Sequence, residues 1–525
     1  MLSFNLAGSL TTIAADIIAI VTIWVKTYRH VRQAASVGVN AGFSSVLIQY
    51  GTLNFLLPNI VISRFLINLR KVDSPGSDNM SRFSQFSVPK FWMPSGLPEV
   101  LGNLGPIFSL NLGGQPAVVI SDVKIVADLL DCRSICYSGR PRFVMAGEVL
   151  TKGMFLPLLS DNYRWRQMRR AIHDGINTDT LTSACSLQAD LSASLVLRIL
   201  EDPTHFKKHF THTSGSMMLH TIYGWSSSRI ETDGELVIRA AGDFVQHVMQ
   251  MMMPRVRLVE IVPAILSLPE FLVGWKREGQ AWFEHDSRMF VSLLEDVRSD
   301  VRADFSEECL GATLVRTEKR GLNTLEQAWT AGTALVRGAD TMATAMLVFV
   351  LAMLLHLDVM HRAQQSIDAI VSRERLPVMA DKERLPYLQA IVKEIHRWRP
   401  ITPLGAPRVS SQVHITMMSR RRDLRSFHYR MIETHGYGHM TFGAGRRICP
   451  GRELVNQALF IQCATLLWAF SIEPVADEDG QPIMPSSTEC VDKGLFVQPA
   501  PFQCRFTPRG PEVASVIRAT TQQDG

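Results

Sequence analysis

The residues best placed to do chemistry stand at 442–451, Phe442-Gly443-Ala444-Gly445-Arg446-Arg447-Ile448-Cys449-Pro450-Gly451, and run straight into an apolar helical stretch at 452–470. A cysteine at the mouth of a helix feels the positive end of the macrodipole and unpaired backbone N–H groups, and both favour thiolate over thiol. Gly443, Gly445 and Gly451 permit tight turns and let a flat partner approach the backbone closely. Arg447, two residues from the sulfur, carries a permanent cation suited to a carboxylate. Together these features describe an axial thiolate for a haem iron, with an arginine on a haem propionate. A lone cysteine in a glycine-rich loop is more often an inert thiol, so the weight rests on the complete ten-residue spacing.

Three shorter groups precede it. Asp340-Thr341 lies inside a long apolar helical run. There an acid beside a hydroxyl can open the i→i−4 ladder and relay protons, although a threonine that simply bonds its own helix is the plainer reading. Glu394-Ile395-His396-Arg397 puts acid and base on one helix face at (i, i+3), a spacing common on surface helices. Trp165-Arg166-Gln167-Met168-Arg169 is, taken alone, an amphipathic basic helix.

The elements that must position these groups are mostly helical. Two short strands, 108–112 and 117–120, flank Gly-Gly-Gln-Pro and read as a hairpin. Helical patterns follow at 121–130, 162–173, 190–200, 234–253, 281–301, 388–397 and 452–470. The longest runs from Asn323, an N-cap with Glu326 three residues on, to about His356. Its apolar half, 343–355, is too short to span a bilayer and reads as a helix buried through the middle of a domain. The expected class is mainly α with minor β, without internal repeats.

The chain has 525 residues, which at ~150 per domain allows several domains, or one large catalytic domain with an anchor. With 46% hydrophobic and 20% charged residues it is globular, not disordered. A net charge of +5 is too small for its size to argue for a nucleic-acid partner. Eight irregularly spaced cysteines exclude a disulfide scaffold and suggest a reducing compartment.

The N-terminus departs from this texture. Residues 4–25 contain one charge, Asp16, and read as a membrane span; Lys26, Arg29, His30 and Arg32 follow and should stay cytosolic. Residues 41–62 are long enough to span but carry Gln49, Asn54, Pro58 and Asn59, ahead of Arg64, Arg70 and Lys71. One span with an interfacial or re-entrant segment, two spans, or buried core helices all remain open. The expected organisation is a membrane-anchor region at 1–72, a linker at 73–104 and a catalytic domain at 105–525. The Asn79 sequon in the linker is expected to be unused, since its acceptor would have to face the lumen.

The ten-residue pattern closely resembles the cytochrome P450 signature Phe-x-x-Gly-x-Arg-x-Cys-x-Gly. The other groups match that family in order: Trp165 and Arg169 as its Trp-x-x-x-Arg helix, 338–341 as its oxygen-activating turn, and Glu394 with Arg397 as its Glu-x-x-Arg pair. Tyr137–Pro141 and Pro403–Arg408 agree, and the style is that of fungal microsomal members. The resemblance implies a P450-like haem domain preceded by an N-terminal transmembrane region. Cys449 would ligate the iron of a haem b, and Trp165, Arg169, Arg408 and Arg447 would contact the propionates. Phe442, Gly445 and Gly451 would complete the loop. Asp340 and Thr341 would deliver protons, while Glu394 and Arg397 would brace the core below the haem. Electrons would come from NADPH through a separate NADPH-cytochrome P450 reductase, with O2 as co-substrate. The run Arg420-Arg421-Arg422, with Arg425, could face that partner or simply form a solvated face. The substrate would be an apolar small molecule such as a terpenoid, steroid or polyketide intermediate. The methionine-rich 247–253 is suited either to an adaptable pocket or to core packing, and 494–506 resembles the family's C-terminal hairpin. The location would be the endoplasmic reticulum membrane, with the haem domain in the cytosol.

The chain also departs from the family. Residues 409–441 hold no Pro-x-Arg-Phe-like segment, whose arginine would complete a triad with Glu394 and Arg397. A glutamate left partly unpaired in a buried site would cost several kcal/mol or bind a proton; Arg420 or Arg425 could substitute. Residues 24–30 and 62–70 look more like the tail of a fungal multi-helix membrane protein. Arg337 and Met342 flank the Asp-Thr turn where the family prefers a small residue and a second hydroxyl. The leading expectation is a membrane-anchored monooxygenase of fungal secondary metabolism. The alternatives are a catalytically defective haem domain on a membrane protein, and a haem-thiolate enzyme that uses peroxide or rearranges its substrate.

Overall fold

A computed structural model describes residues 107–112, 115–120, 122–252, 258–260, 263–269, 273–304, 307–317, 321–411, 439–492 and 496–523. The anchor region, the linker with Asn79, and the basic run at 420–425 lie outside the described residues. The chain divides into two compact units, residues 1–86 with 257–266, and residues 87–256 with 267–525. Of the first, the described part is two short 3-10 segments. The second unit carries every site discussed below.

It opens with the hairpin, β1 (Ile107–Leu112) and β2 (Gln115–Ile120), paired antiparallel from Ile107↔Ile120 to Leu112↔Gln115. The strands are longer than the sequence pattern suggests, since pairing continues to Leu112 and Gln115. Helices follow: α1 (Tyr163–Gly175), α2 (Thr178–Glu201), α3 (Phe206–Tyr223), α4 (Glu235–Met252), α5 (Gly274–Arg302), α6 (Leu310–Arg316), α7 (Thr324–Leu355), α8 (Leu357–Ile370), α9 (Pro386–Trp398) and α10 (Arg452–Ala469). Strands β3 (Phe470–Glu473), β4 (Cys490–Asp492), β5 (Val497–Pro499) and β6 (Arg505–Pro508) pair antiparallel as β3–β6 and β4–β5, before α11 (Val513–Gln523). The fold is mainly helical with minor sheet.

Asn323 caps α7 as its sequence predicts: its side chain accepts from the Glu326 N–H while Glu326 accepts from the Asn323 N–H. The helix is long and apolar enough to cross a membrane, yet it is mostly buried and forms the centre of the core. Trp329 stacks on Phe283, centroids 5.5 Å apart, and donates from Nε1 to Ser287 Oγ at 3.0 Å. Gly338 lets α3 approach, since a Cβ there would lie 2.4 Å from the Met218 sulfur.

The sequence pattern misses α3 and underestimates α2. Helix α3 carries Thr213-Ser214-Gly215-Ser216 and is buried around most of its circumference, so it has no polar face to generate an amphipathic period. The start of α2 is set by a cap, Asn177 Oδ1 accepting from the Thr180 N–H at 3.0 Å, rather than by periodicity.

Candidate haem site

Cys449 sits at the end of a loop closed by backbone hydrogen bonds. Its N–H donates to the Phe442 carbonyl at 2.8 Å, the Ile448 N–H to the Gly445 carbonyl at 3.0 Å, and the Gly443 N–H to the Met440 carbonyl at 2.8 Å. Gly443 and Gly445 take φ of 74° and 58°, the left-handed region that glycine enters without penalty. At Gly445 the demand is also spatial: a Cβ would fall 1.7 Å from the Leu130 carbonyl oxygen. Its N–H donates to the Asp131 carboxylate. Gly445 therefore docks the loop onto the 127–132 turn, which differs from the expectation that it opens the backbone to a flat partner. Gly451 keeps that open character, because a Cβ there would meet nothing within 4 Å.

Arginines hold the loop from several elements. Arg447 donates from Nε and Nη2 to the Ser138 carbonyl at 2.8 and 2.6 Å, and from Nη2 to the Leu159 carbonyl at 2.7 Å. Its guanidinium lies over the Trp165 ring at 4.1 Å. Arg169, on α1 with Trp165, donates to the Ile448 carbonyl at 2.5 Å. Arg408 reaches the Ala444 carbonyl at 2.7 Å through Nη2, whereas its Nη1 is buried without a hydrogen-bond partner. Arg140 binds the carbonyls of Pro157, Ala406 and Pro407 at 2.9, 2.8 and 2.7 Å. Of the expected propionate contacts, Arg408 thus shows the unused donor, and Arg447 commits two of its nitrogens to carbonyls.

These cations crowd one another. Burial, then Arg447, Arg408 and Arg337, push Arg140 down to about 9. Arg408 falls to about 10 through burial, although Asp131 opposes the shift. Arg447 also falls to about 10 through burial and then Arg408, against Asp161. Burial raises the Cys449 thiol; the Gly451 N–H and the cations of Arg337, Arg169 and Arg452 oppose it without cancelling it. The helix mouth alone therefore does not make this sulfur a thiolate, because desolvation outweighs it.

Asp340 and Thr341 lie half-buried on α7. The Thr341 hydroxyl donates to the Arg337 carbonyl at 2.8 Å and to Gly338 at 3.3 Å, and α7 runs unbroken through this turn. The expected opening of the ladder is absent here: a helical threonine takes its i−4 carbonyl when no stronger acceptor offers. Arg337, one turn earlier, lies over the Phe496 ring at 4.4 Å.

Glu394 and Arg397 form a bidentate pair at 2.7 and 2.6 Å, with side chains 55% and 59% exposed. They are a surface pair, which corrects the expectation of a buried brace. Leu388, Ile391, Val392, Ile395 and His396 take the inward face of α9, leaving 394 and 397 outward. Arg397 holds the Glu394 carboxyl below its ordinary range. The residue linking α9 to the loop is His396, which no sequence pattern singles out. Its carbonyl accepts from Thr441 Oγ1 at 2.7 Å, and its ring meets Phe442 with centroids 5.1 Å apart.

The cytochrome P450 family model matches residues 94–417 and 425–506. The chain belongs to the cytochrome P450 family. It is 38% identical over 465 residues to cytochrome P450 monooxygenase 58 of Postia placenta, covering 82% of this chain and 88% of that one. It is 32% identical over 446 residues to a cytochrome P450 monooxygenase of Armillaria gallica, covering 79% and 86%. A solved zebrafish cytochrome P450 with progesterone superposes at a TM-score of 0.61 and 21% identity, covering 80% of this chain and all of that one. The chain is an oxidoreductase of the P450 monooxygenase type.

The residues present fit the haem this family carries. Arg140, Arg169, Arg337, Arg408 and Arg447 bring more positive charge to the P450 site than Asp131, Asp161 and Asp340 offset, so a dianionic group suits it. Cys449 and Arg337 are half-buried, and burial shifts both. Among the described residues no cluster of three or more His, Cys, Asp or Glu could hold a bare ion. A single cysteine ligand with the metal delivered in a macrocycle agrees with that. Arg140 is visible in the sequence only as part of the Tyr137–Pro141 fragment, and Arg337 only as a mismatch. The methionine-rich segment packs Val248, Met249 and Met252 into the core, with His247 on Trp282 at 3.7 Å, which supports the packing reading.

Proposed function

We propose that this P450 inserts one atom of dioxygen into an apolar small molecule in fungal secondary metabolism, with electrons from NADPH through a separate reductase. The observation that carries the reading is Cys449 at the end of a loop held by Arg169, Arg408 and Arg447, with Arg408 Nη1 buried and unpartnered. A haem bound here would supply the oxygen chemistry, its iron on the Cys449 sulfur. Arg408, Arg169 and Arg447, with Trp165 beneath them, would hold its carboxylates. The Thr341 hydroxyl, anchored by its own proton to the Arg337 carbonyl, keeps its lone pairs as acceptors, and Asp340 stands beside it to hold or pass a proton. The segment at 4–25 supports anchoring in the endoplasmic reticulum membrane with the catalytic domain in the cytosol.

The reading of a defective domain rests on the missing Pro-x-Arg-Phe-like segment, which would leave Glu394 partly unpaired in a buried site. The exposure of Glu394 and its bidentate pairing with Arg397 speak against it. The test is reconstitution with NADPH, a fungal reductase and a panel of apolar substrates under isotopically heavy dioxygen. One labelled oxygen atom per product molecule is expected; product formed without label from dioxygen contradicts the reading.

A further inference from the structure

Arg337 is the guanidinium of this site with no fixed role. Among the described residues it donates no side-chain hydrogen bond and forms no ion pair, and the group it touches is the Phe496 ring, 4.4 Å away. By contrast, Arg140 and Arg447 each place their donors on backbone carbonyls, and Arg169 holds Ile448. Arg337 stands on α7 one turn before Asp340 and Thr341, and burial lowers it while Cys449 and Asp340 act on it electrostatically. A half-buried guanidinium without a protein acceptor has donors open to an anion.

We propose that Arg337 is a specificity-determining residue that pairs with a carboxylate on an otherwise apolar substrate. The assignment rests on the monooxygenase reading above and narrows its substrate class. Two arguments favour substrate over a haem propionate. Arg140, Arg169, Arg408 and Arg447 already supply four cations around the Cys449 loop for two propionates. Arg337 instead stands on α7, one turn before Asp340 and Thr341, and lies on Phe496 beside β5. An acid held there has its carboxylate on a planar fork and its apolar body against an aromatic wall.

The experiment uses the purified haem-loaded full chain. Dodecanoic, hexadecanoic and dehydroabietic acids are titrated against their methyl esters by equilibrium dialysis, with haem content and the reduced carbon-monoxide spectrum recorded for every sample. At least one acid is expected to bind about 10- to 100-fold more tightly than its ester, the value of a charge-assisted pair in a desolvated site. Arg337→Gln is expected to remove that preference by weakening the acid alone, and Arg337→Lys to keep part of it. No acid outbinding its ester overturns the assignment, as does an acid preference that survives Arg337→Gln. Haem loss in Arg337→Gln together with equal acid and ester binding by the parent chain assigns the residue to a propionate instead. A parent chain without a thiolate-type band overturns the underlying P450 reading, which separates that failure from the failure of the carboxylate assignment.

Discussion

The loop around Cys449 and the outward face of α9 both carry arginines bound to oxygen acceptors, and they differ in what those bonds connect. Arg447 joins residue 447 to carbonyls 309 and 288 residues earlier, and Arg140 reaches carbonyls 266 and 267 residues later. Glu394 and Arg397 are three residues apart on one exposed helix turn. The first set fixes a tertiary arrangement whose donors reach into the interior. The second decorates a helix whose stability comes from its inward face. Charged contacts of similar geometry therefore carry very different energies, decided by burial and sequence separation.

The comparison can be broken most sharply at Gly445. Replacing it with alanine drives a Cβ into the Leu130 carbonyl and requires a positive φ, so Gly445→Ala is expected to cost about 3 kcal/mol or more and to abolish haem retention. Haem content after expression reads this directly, and normal loading would show that the loop is not docked as described. Arg447→Gln removes the donors to Ser138 and Leu159 and uncovers Trp165, for an expected loss of about 2–4 kcal/mol in chemical denaturation. A loss below about 0.5 kcal/mol would place Arg447 with the surface pairs. Glu394→Gln is expected to change stability by less than about 1 kcal/mol, because its partner is exposed. A drop of about 3 kcal/mol or more would restore the buried brace that the family resemblance implies.

Sequence discloses the parts of this molecule whose signals are local. The Asn323–Glu326 capping box, the apolar half of α7 and the Cys449 motif are all legible from neighbouring residues. What stays hidden depends on partners distant in sequence. Arg447 and Arg140 bind backbone carbonyls, which any residue type offers, so nothing at Ser138 or Pro407 announces them. Helix α3 is buried on most sides and so lacks a period. The (i, i+3) spacing of Glu394 and Arg397 fixes that they share a face, but packing of Ile391, Val392 and Ile395 decides that the face is outward.

The central claim is that Cys449 and the surrounding cations form a working haem-thiolate site without a Pro-x-Arg-Phe-like segment. Its most direct test is the carbon-monoxide difference spectrum of reduced membranes holding the full chain, beside Cys449→Ala. A strongly red-shifted thiolate Soret band in the parent, absent from Cys449→Ala, is the expected result. Protein present in the membranes without that band, or the same band surviving Cys449→Ala, would contradict the account.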